Sequence, residues 1–151
     1  MEGYAAAHAA LRTGKPVWVS WTLHEDRSGR LRSGESIAEA ASAIAELPVG
    51  GMLANCCSSE SITAAMADLH STGYRCVGGY ANTFTPVPED WTLDGSGDTD
   101  GLIPLRDDLD PKSYATIAQD WVESGATIVG GCCGSRPAHI AVLKTALLKH
   151  Q

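Results

Sequence analysis

Short apolar runs alternate with stretches of helical periodicity along the chain, and this alternation constrains the fold more than any other feature. The runs with the length and the β-branched or aromatic content of buried strands are residues 17–21, 49–54, 75–80 and 127–130. Helical spacing covers 4–13, 37–47, a stretch from Ser58 to Gly73, a stretch from Asp110 to Gly125, and 137–149. Strands separated by helices pair in parallel and are covered by those helices, so we predict an α/β fold of order αβαβαβαβα.

The length of the chain limits this architecture. Its 151 residues fall well short of the roughly 250 that a complete eight-fold βα barrel needs. Four strand–helix units are enough for half of such a barrel or for a small open sheet. The pattern alone leaves both architectures open.

The connection at about 81–109 is long for a βα loop and is rich in Pro, Asp and Gly. Structureless loops beyond about 12 to 15 residues are usually functional or disordered. A mobile active-site flap and a solvated insertion are equally consistent with this composition. The run from Ser96 to Asp107 matches a calcium-binding loop only in part, because serine replaces the first acid and Pro104 interrupts it. We therefore predict no calcium site there.

The charge balance excludes some partners. The formal net charge is -7, and the 11 Lys and Arg residues are scattered along the chain, so nucleic-acid binding is not expected. No apolar run approaches the roughly 18 to 20 residues of a membrane span. The N-terminal residues lack the basic segment and apolar core of a signal peptide. We expect a cytoplasmic protein without a membrane partner.

Five cysteines, four of them in two adjacent pairs, carry the strongest chemical signal. An odd number without an export signal disfavours a disulfide framework and favours metal binding or thiol chemistry. Cys56 follows the second predicted strand, and Cys132 and Cys133 follow the fourth, where carboxyl ends of parallel strands converge. Three thiolates would leave the fourth tetrahedral position of a zinc ion open, as in catalytic sites. Packing in the core is favoured for Cys57 and Cys76 and stays open for the other three, since no C-x-x-C spacing is present.

Other prominent side chains are predicted to be structural. Trp18, Trp21 and Trp121 are expected to pack in the core or within the barrel. His139, two residues after Pro137, is expected to be a structural histidine rather than a further ligand or a base.

The cysteine loops resemble those of a known enzyme family. Residues 130–140, GGCCGSRPAHI, resemble the GGCCGT-x-P-x-HI signature of zinc-dependent homocysteine S-methyltransferases, and Asn55-Cys56 resembles that family's G-x-N-C element. Tyr80-Ala81-Asn82 is similar to its Tyr-Pro-Asn, with alanine in place of proline. Further matches are residues 17–20, 120–121 and 125–126. The resemblance extends over essentially the whole chain, and its double-cysteine motif is highly specific.

This resemblance implies a (β/α)8 TIM-barrel enzyme that transfers a methyl group to the thiol of homocysteine and so makes methionine. Carried over by position, Cys56, Cys132 and Cys133 are the Zn2+ ligands. Asn55 lies beside the metal, and Asn82 lines the substrate pocket. The implied methyl donor is S-methylmethionine, betaine or a methylated cofactor.

The match is confined to the C-terminal half of such an enzyme. The family's Asp-Gly-Gly/Ala element and the glutamate of its fourth barrel strand have no counterpart in residues 1–151. We therefore expect a single domain, a partial TIM barrel of about four C-terminal βα units, which is either a fragment that lacks its N-terminal half or one half of a self-associated barrel. A homodimer partner or a complementary chain is the candidate for the second half. The alternative is a non-catalytic zinc- or thiol-binding remnant or a partner-dependent module. A redox pair of Cys132 and Cys133 is disfavoured, because adjacent cysteines strain a disulfide.

Overall fold

The computed structural model describes residues 2–86 and 103–148. Within them the helices are α1 Glu2–Leu11, α2 Ile37–Ala43, α3 Ser59–Ser71, α4 Pro111–Glu123 and α5 Pro137–Leu148. The strands are β1 Trp18–Trp21, β2 Gly51–Asn55, β3 Cys76–Ala81 and β4 Ile128–Gly131. The predicted alternation of helices and strands is confirmed. None of the described helices is long and apolar enough to cross a membrane.

The four strands form one parallel sheet in the chain order β1-β2-β3-β4. Its register pairs Ser20 with Leu53, Leu53 with Gly78, and Gly78 with Ile128. Successive strands are thus neighbours joined by helical crossovers, which is the arrangement of consecutive units in a βα barrel. Among the described residues, no other strand pairs with the outer edge of β1 or of β4.

The core lies between one face of this sheet and the helices. Met52 and Ala54 of β2 are fully buried there against α3 and its neighbours. The largest helical contributors are Ile37, Ile62, Met66, Leu69, Tyr114, Trp121 and Leu143. Side chains alternate between the faces of a strand, so Ser20, Asn55 and Tyr80 lie on the opposite face, which we call the open face. There the Tyr80 hydroxyl donates a hydrogen bond to Ser20 Oγ at 2.6 Å.

Trp18 departs from the predicted core. Its side chain is 53% exposed, whereas Trp121 is buried and Trp21 is partly buried. By strand alternation Trp18 lies on the open face of β1, at the edge of the sheet and away from the helices. Trp18 is therefore not part of the described core, and its packing within a barrel stays a prediction.

Side-chain caps set where the helices begin. Ser36 and Glu39 form a reciprocal capping box at the start of α2. Ser58 Oγ accepts from the Ser61 N–H at the start of α3. At the start of α4 the Asp110 carboxylate accepts from two backbone N–H groups, and Pro111 occupies the first turn. These are the starts that the sequence predicted.

The end of α2 differs from the prediction. The helix ends at Ala43 rather than at Leu47, and the following residues form tighter i→i+3 turns. Pro48 disfavours helical backbone at Leu47, so the helix does not resume after these turns.

The two ends of the predicted loop at 81–109 pair with each other. Phe84 and Leu105 form an antiparallel bridge, and the Arg106 N–H donates to the Thr83 carbonyl at 2.9 Å. We call residues 83–85 and 104–106 the loop base. The flap and calcium interpretations mainly concern residues 87–102, which lie outside the described residues.

Candidate metal centre

Three cysteine sulfurs meet at the carboxyl ends of β2 and β4. The Sγ atom of Cys133 lies 3.7 Å from Sγ of Cys56 and 3.9 Å from Sγ of Cys132. All three sulfurs lie within 4.8 Å of one another. Cys56 directly follows β2 and Cys132 directly follows β4, so parallel pairing brings thiols together that are up to 77 positions apart in the sequence.

The spacing of these sulfurs fits a tetrahedral ion. Zn–S bonds of about 2.3 Å at tetrahedral angles place two sulfurs roughly 3.8 Å apart. Burial, together with a hydrogen bond to Cys132, raises the pKa of the Cys56 thiol to about 12, so without a cation this group is protonated at neutral pH. Three thiolates at this spacing need a cation between them, and an all-sulfur donor set suits zinc.

A left-handed backbone turn aims Cys56 at the cluster. Its φ is +53°, which costs roughly 1–2 kcal/mol for a residue with a Cβ. Its N–H donates to the Tyr80 carbonyl at 3.1 Å. The next residue, Cys57, is fully buried in the core, and burial raises the pKa of its thiol to about 12. Cys57 therefore packs as predicted, while Cys76 lies at the start of β3 and outside the cluster.

The turn that carries Cys132 and Cys133 is held by backbone hydrogen bonds. The Cys132 N–H donates to the Ala81 carbonyl at 2.9 Å, and the Cys133 carbonyl accepts from the Thr83 N–H at 3.0 Å. Gly134 has φ +77°, and a Cβ at this position would collide with the Thr83 side chain. Glycine is therefore required where the turn passes the loop base.

The hydroxyl of Tyr114 bridges β3 and β4 just before the double cysteine. It donates to the Gly130 carbonyl at 2.7 Å and accepts from the Ala81 N–H at 3.0 Å. Burial raises the pKa of Tyr114, so the hydroxyl keeps its proton. Helical periodicity predicts that Tyr114 lies on the apolar face of its helix, but it does not indicate which groups the hydroxyl hydrogen-bonds.

The two predicted substrate residues differ in their surroundings. Asn55 ends β2 on the open face, is partly buried, and makes no side-chain hydrogen bond to another described residue. Asn82 is 2% exposed, and its carboxamide oxygen accepts from the Phe84 N–H at 3.1 Å. The Asn82 N–H donates to the Cys57 carbonyl. Asn55 is thus free for a ligand, whereas Asn82 stabilises the loop that begins at the end of β3.

His139 is structural, as predicted. It is 7% exposed, and its Nδ1 accepts from the Arg136 N–H at 3.1 Å. That assignment leaves Nε2 to donate to the Leu109 carbonyl at 3.2 Å. The ring also packs edge-on against Tyr114 and lies outside the sulfur cluster.

An ion pair between the loop base and α3 was not predicted. Arg106, in the loop base, donates from Nη1 to Oε2 of Glu60 at 2.8 Å and from Nη2 to Oε1 at 2.7 Å. It also donates to the Asp108 carboxylate. The hydrogen bonds from Arg106 lower the pKa of Glu60 to about 2. The pair spans 46 positions, and no local sequence signal marks it.

Known proteins of one family are similar to this chain. The family model described as homocysteine S-methyltransferase matches residues 1–147. The homocysteine S-methyltransferase of Escherichia coli (strain K12) is 30% identical over 145 residues, which cover 91% of this chain and 42% of that protein. Homocysteine S-methyltransferase 1 of Zea mays is 26% identical over 133 residues, which cover 87% of this chain and 38% of that protein. The chain thus spans less than half the length of these curated relatives.

Solved structures show the same relationship. The apo form of the homocysteine methyltransferase MmuM from Escherichia coli matches with a TM-score of 0.67 and 26% identity, over 96% of this chain and 45% of that chain. Its metallated form matches with a TM-score of 0.67 and 27% identity, over 95% of this chain and 40% of that chain. The expected fold class, part of a TIM barrel, is confirmed by this match together with the parallel sheet. The chain belongs to the homocysteine S-methyltransferase family.

Proposed function

We propose that this chain takes part in zinc-dependent methyl transfer to the thiol of homocysteine, giving methionine. The observation that carries the proposal is the cluster of three cysteine sulfurs at the carboxyl ends of parallel strands. Membership of the homocysteine S-methyltransferase family supports the choice of substrate. The similarity to the metallated form of MmuM supports a bound metal as part of the proposal.

Cys56, Cys132 and Cys133 would hold the ion. With three sulfur ligands, one tetrahedral position is left for the substrate. When bound, zinc stabilises the thiolate form of a sulfur ligand at neutral pH. Homocysteine supplies such a sulfur.

The side chains around the cluster suggest how the rest of the substrate is bound. We propose that the free carboxamide of Asn55, on the open face, contacts the polar end of homocysteine. The hydrogen bond between Tyr80 and Ser20 keeps the neighbouring part of that face in one arrangement. Asn82 would line the pocket by holding the backbone after β3 in place.

The transfer is a single displacement at carbon. The homocysteine thiol loses its proton, its sulfur bonds to the methyl carbon, and the bond between that carbon and the donor breaks. The electron pair leaves with the donor, which departs as a neutral molecule if it carried a positive charge. S-methylmethionine and betaine both satisfy this requirement, and a methylated cofactor is a third candidate.

Further strands are part of the proposal. The curated relatives are more than twice as long as the matched region, and the edges of β1 and β4 pair with no other described strand. Unpaired edges of a parallel sheet readily accept another strand. We propose that a second copy, a complementary chain or an N-terminal half of the same protein provides the strands that complete the barrel, and with them the remaining substrate contacts.

The proposal is tested by measuring methionine formation. The purified chain, loaded with zinc, is incubated with homocysteine and a methyl-labelled donor, either S-methylmethionine or betaine, and labelled methionine is measured by mass spectrometry. We expect labelled methionine from the wild type and from Cys76→Ala, and none from Cys56→Ala. Native mass spectrometry of the same samples reports the number of chains in the active species.

Two results would contradict the proposal. Full zinc loading without methionine from either donor, in a sample that native mass spectrometry shows to be self-associated, would favour a non-catalytic metal-binding module. Equal methionine formation by Cys56→Ala and the wild type would separate the activity from the sulfur cluster.

A further inference from the structure

We infer that Arg106 is a positioning residue that fixes the two cysteine loops relative to each other, an inference that rests on the proposed metal centre. Cys56 and the pair Cys132–Cys133 belong to different loops. The distance between their sulfurs therefore depends on the contacts that hold one loop against the other. Arg106 is connected to both loops by short hydrogen-bonded links.

The first link runs to the loop of Cys56. Glu60 lies in the first turn of α3, which begins shortly after Cys56. Both terminal nitrogens of Arg106 donate to the Glu60 carboxylate, at 2.8 Å and 2.7 Å. A two-point pair of this kind fixes orientation as well as distance. Arg106 is thus tied to the start of the helix that follows Cys56.

The second link runs to the turn of Cys133. The Arg106 N–H donates to the Thr83 carbonyl at 2.9 Å, and the Thr83 N–H donates to the Cys133 carbonyl at 3.0 Å. Leu105, the neighbour of Arg106, lies close to Gly134 in the same turn. The loop base therefore transmits the position of Arg106 to the double cysteine.

The burial of Arg106 indicates that the pair is more than a surface contact. The Arg106 side chain is 16% exposed and the Glu60 side chain 30%, whereas the second partner, Asp108, is 69% exposed. A partly buried two-point pair is screened less by water and salt than an exposed one. Arg106 and Glu60 are not members of the sulfur cluster, so their effect on it acts through the loops.

The first measurement is zinc affinity, determined by competition with a chromophoric chelator. Loss of a group that orients metal ligands typically weakens metal affinity by about 10- to 100-fold. We expect about 10-fold weaker binding for Arg106→Met and for Glu60→Gln. Arg106→Lys keeps the charge without the planar two-point geometry and should fall between Arg106→Met and the wild type.

The second measurement needs no metal. In the metal-free protein, diamide oxidises Cys56 and Cys133 to a disulfide, accepting the two electrons and two protons that the thiols lose. Their sulfurs are 3.7 Å apart in the structure, so formation of this disulfide, which we call closure, is sensitive to the spacing of the two cysteine loops. Peptide mapping identifies the disulfide, and we expect its rate of formation to fall severalfold in Arg106→Met and Glu60→Gln.

Ser36→Ala is the matched control, because it removes the N-cap of α2 without touching either cysteine loop. We expect it to lower the melting temperature while leaving zinc affinity and the closure rate as in the wild type. Wild-type values of both quantities in Arg106→Met would overturn the inference. The inference would also be overturned if zinc affinity and the rate of disulfide formation decreased only in proportion to the melting temperature across Ser36→Ala, Arg106→Met and Glu60→Gln. If the wild type binds no zinc but closure still depends on Arg106, the proposed function fails and the positioning role stands.

Discussion

Replacing Tyr114 with phenylalanine tests how the structure holds β3 against β4. The substitution keeps the ring, with its contacts to Trp121 and His139, and removes only the hydroxyl. The Ala81 N–H keeps the Gly130 carbonyl as its acceptor, which the register of β3 and β4 places opposite it, but both groups lose their contact with the hydroxyl. A hydrogen bond of this kind contributes about 0.5–1.5 kcal/mol, so we expect a loss of about 1 kcal/mol in the free energy of unfolding.

The assay is urea denaturation followed by circular dichroism, together with a thermal melt. A loss of about 1 kcal/mol corresponds to a decrease of roughly 2–4 °C in melting temperature for a chain of this size. Tyr74→Phe is the control, because the Tyr74 hydroxyl makes no hydrogen bond to another described residue and the ring is only partly buried. Equal stability of Tyr114→Phe and Tyr74→Phe would refute the assigned role of the Tyr114 hydroxyl.

Three further predictions concern stability. Gly125→Ala should lower the free energy of unfolding in urea by about 2 kcal/mol or more, because φ is +103° and the new Cβ would collide with His70. Gly14→Ala is the control: its φ is also positive, but no atom lies near the new Cβ, so the loss should be only about 1 kcal/mol. Cys57→Ser should lose about 1–3 kcal/mol because it buries a hydroxyl, and its zinc content measured by mass spectrometry should equal that of the wild type. The pKa of Glu60 is lowered from 4.5 to about 2, so its ion pair with Arg106 stabilises the fold above pH 4.5 and is lost as the pH falls towards 2. Melts at a series of pH values should show that the free energy of unfolding of the wild type falls by about 1–2 kcal/mol over this range, and that of Glu60→Gln by less. Equal decreases in the two proteins would mean that the pair contributes nothing.

The architecture could be predicted because its signals are local. Hydrophobic periodicity, capping residues and the terminating glycines each act within a few positions, so the order of strands and helices follows from short segments. The carboxyl ends of parallel strands meet at one edge of the sheet, so the predicted topology alone places Cys56 and Cys132 close together. The sulfur cluster was therefore within reach of sequence reasoning.

The contacts that refine the site could not be predicted in the same way. The pair of Arg106 with Glu60 joins residues 46 positions apart and depends on the path of the loop base. The reach of the Tyr114 hydroxyl depends on how closely α4 packs against the sheet. The exposure of Trp18 depends on the position of β1 at the edge, which strand composition does not encode.

The zinc content of the purified chain tests the central claim most directly. Native mass spectrometry should find one zinc per chain in the wild type and in Cys76→Ser, whose altered residue lies at the opposite end of its strand from the cluster. Cys56→Ser should lose the ion, because it removes one of the three sulfurs. A metal-free wild type, or a Cys56→Ser variant that keeps its zinc, would contradict the proposal that these cysteines form the metal centre.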